Sequence, residues 1–183
     1  MAAIKSVGVF CAASESIDDI YVHEAGRVGN LIGNKGLTLV YGGAAAGLME
    51  TTACAAKDSG AKIVGVFPQI LIERNRVSTL IDERVVTHNL SDRKDNILQR
   101  SDILIALAGG IGTLDEVFHV AAAATIGYHN KKVIFYNING FWDDIITLLH
   151  NMQQKGFIRA SFDTLFEVAN NIKELEALLD KYC

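Results

Sequence analysis

A glycine-rich turn follows an apolar run near the middle of the chain. The run is Ile103–Leu107, and the turn reads Gly109-Gly110-Ile111-Gly112-Thr113. Glycine allows the backbone to come close to a ligand. A helix that begins at such a turn presents unpaired N–H groups and the positive end of its dipole, which suit a phosphate. The alternative is a tight turn in which Thr113 only caps the helix, and the spacing alone does not separate the two.

Two adjacent carboxylates, Asp115 and Glu116, fall in the predicted first turn of the following helix. The commoner interpretation is that they offset the helix dipole. The functional interpretation is that one of them faces the bound phosphate. Neighbouring side chains on a helix point about 100° apart, so only one of the two is expected to do chemistry.

A basic pair, Arg93-Lys94, lies at the predicted start of the helix before the apolar run. Such a pair is most often a solvated face. Cations at a helix start oppose the dipole, and an anionic ligand would resolve that conflict.

Several catalytic patterns are absent from the chain. There is no GxxxxGK[ST] motif, which disfavours a P-loop nucleoside triphosphatase. Cys11-Ala12-Ala13-Ser14 follows the first apolar run in place of GxGxxG, which disfavours a dinucleotide-dependent dehydrogenase. There is no GxSxG elbow. The histidines are scattered without the spacing of a metal site: His23, His88, His119, His129 and His150.

Apolar runs and amphipathic segments alternate along the chain. The predicted strands are Val7–Cys11, Leu37–Tyr41, Ile63–Phe67, Arg84–Thr87, Ile103–Leu107, Val133–Tyr136 and Leu165–Val168. The predicted helices are Ile20–Ile32, Leu48–Ser59, Asp92–Gln99, Thr113–Ile126, Phe141–Gln154 and Ile172–Tyr182, with residues 69–83 as a loop that contains a short helix at most. Continuous apolar strands predict an α/β fold, a Rossmann-like parallel sheet with helices on both faces, formed by residues 1–183 as a single domain. Ligands of such folds bind at the carboxyl ends of the strands.

Composition limits the partners and the location. The chain has 183 residues and a formal net charge of −4, so we expect no nucleic-acid partner. Its three cysteines, Cys11, Cys54 and Cys183, form no CxxC motif and fit a reducing compartment. Neither a signal-peptide core nor an uninterrupted apolar stretch of membrane-spanning length is present. We therefore expect a cytoplasmic protein with no membrane partner.

Motifs along most of the chain resemble those of the LOG ("lonely guy") family. The resemblance runs from about residue 7 to about residue 158. It rests on Val9-Phe10-Cys11, Tyr41-Gly42-Gly43, Gly47-Leu48-Met49, Ser91-Asp92-Arg93-Lys94, Ser101-Asp102, the stretch Leu107–Glu116 and Gly156-Phe157-Ile158. The combination of Arg-Lys with a following GGxGTxxE is the most specific of these.

The resemblance implies an activity and a set of site residues. The family comprises cytokinin riboside 5′-monophosphate phosphoribohydrolases, which older descriptions call possible lysine decarboxylases. It implies a homodimer that hydrolyses the N-glycosidic bond of a purine nucleoside 5′-monophosphate, AMP or a cytokinin riboside 5′-monophosphate, with no metal and no cofactor. The products are the free base and ribose 5-phosphate. By resemblance Arg93 and Glu116 are the catalytic pair. The implied substrate contacts are Lys94, Gly109, Gly110, Gly112, Thr113 and Asp115.

The chain departs from the family pattern at several positions. Ala44 replaces a glycine, Asn75 a glutamate (with Glu73 nearby), Ser91 a histidine, Ala108 a proline, and Ala122-Ala123 a Thr-Trp pair. Losing an indole and a hydroxyl at the last position is expected to change the wall of the substrate pocket. We therefore expect a base site that differs from that of the plant-type members.

Two other functions and one assembly question stay open at this point. A nucleotide or cofactor carrier would keep the fold and the phosphate turn without turnover. Lysine decarboxylation would need a lysine placed for a pyridoxal-phosphate Schiff base, and the sequence offers no recognisable setting for one. The Ala-rich segment Val117–Ile126 suits either a subunit interface or ordinary burial within one subunit.

Overall fold

A seven-stranded, fully parallel sheet forms the centre of the protein. The computed structural model describes residues 4–182, and Cys183 lies outside the described residues, as do residues 1–3 of the predicted domain. The strand order is β4-β3-β2-β1-β5-β6-β7. The strands are β1 (Ser6–Phe10), β2 (Thr38–Tyr41), β3 (Ile63–Pro68), β4 (Glu83–Thr87), β5 (Ile103–Ala106), β6 (Val133–Tyr136) and β7 (Phe166–Ala169). The predicted α/β class is confirmed.

Helices connect the strands and cover the sheet. They are α1 (Asp19–Asn34), α2 (Gly47–Asp58), α3 (Gln69–Glu73), α4 (Leu90–Arg100), α5 (Ile111–Thr125), α6 (Asp143–Gln154), α7 (Phe162–Leu165) and α8 (Ile172–Asp180), with a 3-10 turn at Ile138–Gly140. Within residues 4–182, no helix has both the length and the apolar character that crossing a bilayer requires.

Two apolar cores lie on opposite faces of the sheet. Side chains of α1, α2 and α8, such as Ile32, Leu48 and Leu179, pack on one face. Side chains of α4 and α5, such as Ile97 and Val120, pack on the other face. Helices on both faces explain why the strands are apolar runs and not alternating sequences, since both sides of each central strand are buried.

The chain reverses its direction of travel across the sheet between β1 and β5. After β1 it builds β2, β3 and β4 on one side, and β5 then pairs with the free edge of β1. Phe10 and Ala106 are paired, so the two strands end level. The Leu107 N–H donates to the Phe10 carbonyl at 2.9 Å and the Ala12 N–H to the Ala108 carbonyl at 3.1 Å, which holds the two following loops together. Such a reversal leaves a crevice above the strand ends, where ligands of this fold class bind.

Two predicted helix starts were wrong in ways that matter for the site. Helix α4 begins at Leu90 and not at Asp92, because Asn89 caps it by accepting the Asp92 N–H at 2.9 Å. Helix α5 begins at Ile111, so Thr113 lies inside its first turn and is not the cap residue. Asp115 and Glu116 consequently lie beyond the first turn. Offsetting the dipole, the commoner interpretation of these carboxylates, therefore loses its structural basis.

Candidate active site

A cleft of about 310 Å³ opens at the reversal point between β1 and β5. Its walls come from four elements: the loop after β1, the start of α2, α4 and the first turns of α5. The side chains that matter for chemistry are Cys11, Met49, Arg93 and Glu116, and we call the space between them the Arg93–Glu116 cleft. Its volume is at the lower end of the range for small-ligand pockets, roughly 300 Å³.

Arg93 and Glu116 form a buried ion pair across this cleft. The distance from Arg93 Nη1 to Glu116 Oε1 is 2.6 Å, and the two side chains are 12% and 4% exposed. Arg93 Nε also donates to the backbone carbonyl of Val66 at 3.1 Å. The pair predicted from distant parts of the sequence is thus brought together, and a β3 carbonyl fixes the guanidinium.

Burial controls the ionisation of the groups in the cleft. The pKa of Glu116 is raised above its ordinary value because burial disfavours the carboxylate, although the charge of Arg93 opposes this shift. The pKa of Cys11 is also raised, by burial first and by the nearby Glu116 second. Cys11 is therefore a neutral thiol near neutral pH and a poor nucleophile, whereas Glu116 is a carboxylate that its surroundings have made more basic.

The start of α5 is uncapped where it borders the cleft. Gly110 is the N-cap residue and has no side chain to accept the first N–H groups, whereas Asn89 and Asn171 cap α4 and α8 by accepting N–H bonds. The first intrahelical bond of α5 runs from the Leu114 N–H to the Gly110 carbonyl at 3.0 Å. The N–H groups before it have no acceptor within the helix and are available to an anion.

The three glycines of the turn are needed for different reasons. A Cβ on Gly109 would lie 2.1 Å from Thr113 Oγ1, so this glycine is required by packing inside the protein. A Cβ on Gly110 or Gly112 would meet no protein atom within 4 Å, and both residues line the cleft. Since Gly110 has a φ of −96°, which other residues also adopt, neither packing nor backbone conformation explains it. Close approach of a ligand does explain it.

Lys94 and Asp115 make a second ion pair beside the first. Lys94 Nζ lies 2.7 Å from Asp115 Oδ1, and the Asp115 side chain is half exposed. Neither residue lines the cleft. Of the two neighbouring carboxylates, the structure turns Glu116 into the cleft and Asp115 toward solvent, as the expected angle between adjacent helix positions requires.

None of the positions at which the chain departs from the family pattern lines the Arg93–Glu116 cleft. Ala108 directly precedes the glycine turn that borders it. Ala122 and Ala123 line a separate, larger cleft of about 810 Å³ between α4 and α5. They do not line the Arg93–Glu116 cleft, and the expectation that they change the wall of the substrate pocket stays a prediction. Asn75 is exposed and has a φ of 50° in the loop after α3. A further cleft of about 800 Å³ lies between α1 and α2. Neither of these larger clefts contains the Arg93–Glu116 pair.

Sequence reasoning did not foresee the backbone groups of the site. The Val66 carbonyl lies on β3, in a run that is predicted only to be buried, and a carbonyl leaves no mark in a sequence. A Cβ added to Gly42 would lie 2.1 Å from Arg93 Nη2, although in the sequence this glycine carries no role beyond its motif.

Comparison with known proteins identifies the family of the chain. The family profile described as "Possible lysine decarboxylase" matches residues 49–179. The cytokinin riboside 5′-monophosphate phosphoribohydrolase LOG5 of Arabidopsis thaliana is 33% identical over 97% of this chain and 78% of its own length. This chain belongs to the LOG family. The probable cytokinin riboside 5′-monophosphate phosphoribohydrolase LOGL2 of Oryza sativa subsp. japonica is also 33% identical, over 97% of this chain and 73% of its own length.

Solved structures extend the likeness in fold beyond this enzyme group. The Moco carrier protein from Chlamydomonas reinhardtii superposes with a TM-score of 0.75 over 97% of this chain and 96% of its own, at 23% identity. At that identity the likeness shows the shared fold. The same architecture thus occurs in proteins described as carriers as well as in the LOG group.

Proposed function

We propose that this LOG-family protein hydrolyses the N-glycosidic bond of a purine nucleoside 5′-monophosphate, releasing the free base and ribose 5-phosphate. The observation that carries the proposal is that a buried Arg93–Glu116 pair and an uncapped helix start open onto one cleft. The relatives described as phosphoribohydrolases support the reaction type. The proposed reaction uses no metal and no cofactor.

The 5′-phosphate binds at the start of α5 in this proposal. The unpaired N–H groups of the first turn and the positive end of the helix dipole attract the dianion. Gly110 and Gly112 allow the phosphate to approach the backbone, and the Thr113 hydroxyl is a further donor at the same end. Holding the phosphate there places the ribose over Glu116, which lies about one turn further along the helix.

Glu116 stabilises the charge that develops when the base leaves. Cleavage of the C1′–N bond passes through an oxocarbenium-like state, and an ionised carboxylate beside C1′ lowers its energy. The bond's electron pair goes to the base, which takes up a proton from solvent, and a water oxygen bonds to C1′ and loses a proton to Glu116, which returns it to solvent. Arg93 opposes the rise that burial causes in the pKa of Glu116, and in this proposal its guanidinium donates hydrogen bonds to the leaving base.

Lys94 and Asp115 support the site from the solvent side. The two ion pairs join consecutive positions of the same two helices, Arg93 with Glu116 and Lys94 with Asp115. We propose that the outer pair fixes the relative position of α4 and α5 and contacts the substrate only at the rim.

The base preference is proposed to be broad. AMP and cytokinin riboside 5′-monophosphates share the phosphoribosyl group that the cleft is proposed to recognise, and the chain has Ala122-Ala123 where the family pattern has a Thr-Trp pair. Plant-type selectivity for the isopentenyladenine nucleotide over AMP is therefore not expected.

A carrier without turnover is the second candidate, favoured by the fold shared with the Moco carrier protein. It predicts tight binding of a nucleotide or cofactor with no product. The two functions differ in whether the C1′–N bond breaks.

Incubation with nucleotides tests the proposal. Purified protein is mixed with AMP, with the isopentenyladenine nucleotide, or with adenosine as the control that lacks a phosphate, and the products are separated by chromatography. We expect free base and ribose 5-phosphate from both nucleotides and far slower release from adenosine. Binding of AMP without release of adenine would favour the carrier and reject the hydrolase.

We also propose that the protein is a homodimer through α5 and α6. Phe118, Leu148 and Met152 are exposed apolar side chains beside a nearly polar-free cleft of about 290 Å³. Val117 and Val120 on the other side of α5 are buried within the subunit, so in this proposal the helix packs both inside the subunit and at the interface. Sedimentation is expected to give a dimer that Leu148→Asp dissociates and Ile70→Asp, an equally conspicuous change on α3, does not. A monomeric wild type would contradict the assembly.

We place the reaction in the cytoplasm. Cys11 and Cys54, the cysteines that fall within residues 4–182, are free thiols, which fits a reducing compartment. Cell fractionation followed by detection of the protein in the cytosolic or the secreted fraction checks this.

A further inference from the structure

We infer that Gly42 is a positioning residue for Arg93: together with the Val66 carbonyl it fixes the guanidinium that pairs with Glu116. The inference rests on the proposed function for its effect on turnover. The Tyr41-Gly42-Gly43 motif follows β2 and, within the described residues, Gly42 is not part of the wall of the Arg93–Glu116 cleft.

The contact between Gly42 and Arg93 leaves no room for a side chain. A Cβ on Gly42 would lie 2.1 Å from Arg93 Nη2 and 3.2 Å from its Cζ. Real Cβ atoms do not approach other atoms so closely, so a methyl group here forces the guanidinium to move. Glycine is thus needed at this position because any side chain would occupy the space of the Arg93 guanidinium.

Three contacts hold the guanidinium from three directions. Nε donates to the Val66 carbonyl at 3.1 Å, Nη1 lies 2.6 Å from Glu116 Oε1, and Nη2 faces Gly42. An arginine side chain has several rotatable bonds, and fixing it beforehand avoids an entropic cost during the reaction. A methyl group on Gly42 forces the Arg93 side chain into another rotamer. The fold itself is kept, because the displaced atoms are the far end of a flexible side chain.

Displacing the guanidinium also changes the charge balance around Glu116. The charged and titratable groups that act on this carboxylate are Arg93 and Lys94 on α4, Asp115 on α5 and Cys11 after β1. Arg93 is the largest of the influences that lower the pKa of Glu116, against the raising effect of burial. Moving Arg93 away therefore raises the pKa of Glu116 further.

The test is Gly42→Ala, with Gly26→Ala as the matched control. A Cβ on Gly26, in α1, would meet only Thr51 Cγ2 at 3.9 Å, an ordinary contact. We expect Gly42→Ala to reduce kcat for AMP by on the order of 10²-fold with a much smaller change in KM, since a misplaced catalytic group has an effect of that size. The acid limb of its kcat/KM profile moves to higher pH. Gly26→Ala changes neither.

A double-mutant cycle separates positioning from general damage. If Gly42 acts through Arg93, Gly42→Ala has little further effect on kcat in an Arg93→Ala background, because interacting positions are not additive. Equal losses in both backgrounds would overturn the inference. If Gly42→Ala alone does not fold, folding of the double variant supports the steric contact with Arg93, and failure of both rejects it.

One measurement does not need turnover and so separates this inference from the proposed function. The NMR signal of the Arg93 Nε–H, hydrogen-bonded to Val66, is expected to exchange slowly with water in the wild type and in Gly26→Ala, and rapidly in Gly42→Ala. Unchanged slow exchange in Gly42→Ala overturns the positioning role, whatever the activity is. If slow exchange is lost in Gly42→Ala while the wild type itself releases no adenine from AMP, the proposed hydrolase is rejected and the positioning role is kept.

Discussion

Two buried glutamates of this protein have opposite surroundings. Glu116 in the cleft is 3% exposed and Glu24 on α1 is 7% exposed. Burial acts to raise the pKa of both. At Glu24, hydrogen bonds from the Tyr136 hydroxyl and from Arg27 outweigh burial, so the pKa is lowered. At Glu116, burial prevails over Arg93 and the pKa is raised.

The two glutamates show that a buried carboxylate can serve either the fold or the chemistry, depending on its hydrogen-bond partners. Both carboxylate oxygens of Glu24 accept hydrogen bonds from side chains of the same subunit, with Arg27 Nη1 at 2.9 Å from Oε1. Glu116 is held by Arg93 at one oxygen and borders an open cleft. A fully bonded carboxylate ties α1 to β6, whereas a carboxylate with a raised pKa beside empty space is suited to react.

The largest expected effect separates the two glutamates by activity. Glu116→Gln is expected to reduce adenine release from AMP by about 10²–10⁴-fold, since it removes the developing charge partner and the proton acceptor. Glu24→Gln, of the same shape change and similar burial, is expected to keep most of the activity. Comparable losses in both variants, measured by initial rates with AMP, would remove the distinction.

The pH profile sharpens the same contrast. Because the carboxylate form of Glu116 is the active one and its pKa is raised, kcat/KM is expected to fall as pH drops through a value above the ordinary glutamate pKa of about 4.3. The fall approaches tenfold per pH unit below that pKa, about one proton per site. Glu24→Gln is expected to leave the limb in place, which shows that the limb does not arise from the other buried glutamate. An acid limb at or below the ordinary range contradicts a raised pKa of Glu116.

Filling the open space above the turn is expected to weaken substrate binding. Gly112→Ala places a methyl group in the cleft without touching any protein atom within 4 Å, so the fold is unaffected. We expect KM for AMP to rise by roughly tenfold, equivalent to about 1.4 kcal/mol. Inhibition by ribose 5-phosphate, which carries the same phosphate, weakens in parallel. A variant with unchanged KM and unchanged inhibition places the phosphate elsewhere.

The sequence could predict those features of the fold and the site that depend on the type and spacing of side chains. Alternating apolar runs predict the sheet. Of the predicted site residues, the structure places Arg93, Gly110, Gly112, Thr113 and Glu116 around one cleft and leaves Lys94, Gly109 and Asp115 out of its lining. The two helix starts were misplaced because several polar residues around Asn89 could each have capped α4, and because the N-cap residue of α5, Gly110, has no side chain that could mark the position. The partners of Glu24 are just as hidden, since Tyr136 lies 112 positions away in a run predicted only to be buried.

Stability is expected to reveal the structural role of Glu24. Its lowered pKa means that the ionised form stabilises the fold above the unfolded-state pKa of about 4.3, and this contribution is lost as pH falls through the folded-state value. Glu24→Gln is therefore expected to lower the free energy of unfolding at pH 7 by about 1–3 kcal/mol. Urea titrations should show the difference from wild type shrinking below pH 4. A deficit independent of pH would mean that packing and not charge is lost.

The smallest expected effect concerns the outer ion pair. Asp115→Asn breaks a half-exposed pair with Lys94, and such pairs contribute about 0–1 kcal/mol. We expect kcat/KM to fall by no more than several-fold, about 1 kcal/mol at most. A loss as large as that of Glu116→Gln would show that Asp115, although it faces solvent in one subunit, takes part in the reaction.

The most direct test of the central claim is the crystal structure of Glu116→Gln with AMP bound. The variant keeps the shape of the site and is expected to leave the substrate intact. We predict that the phosphate accepts bonds from the backbone N–H groups at the start of α5, and that C1′ faces the residue 116 side chain with room for one water molecule between them, the water oxygen lying about 3–3.5 Å from C1′. AMP bound with its phosphate away from α5, or with C1′ remote from residue 116, would contradict the account.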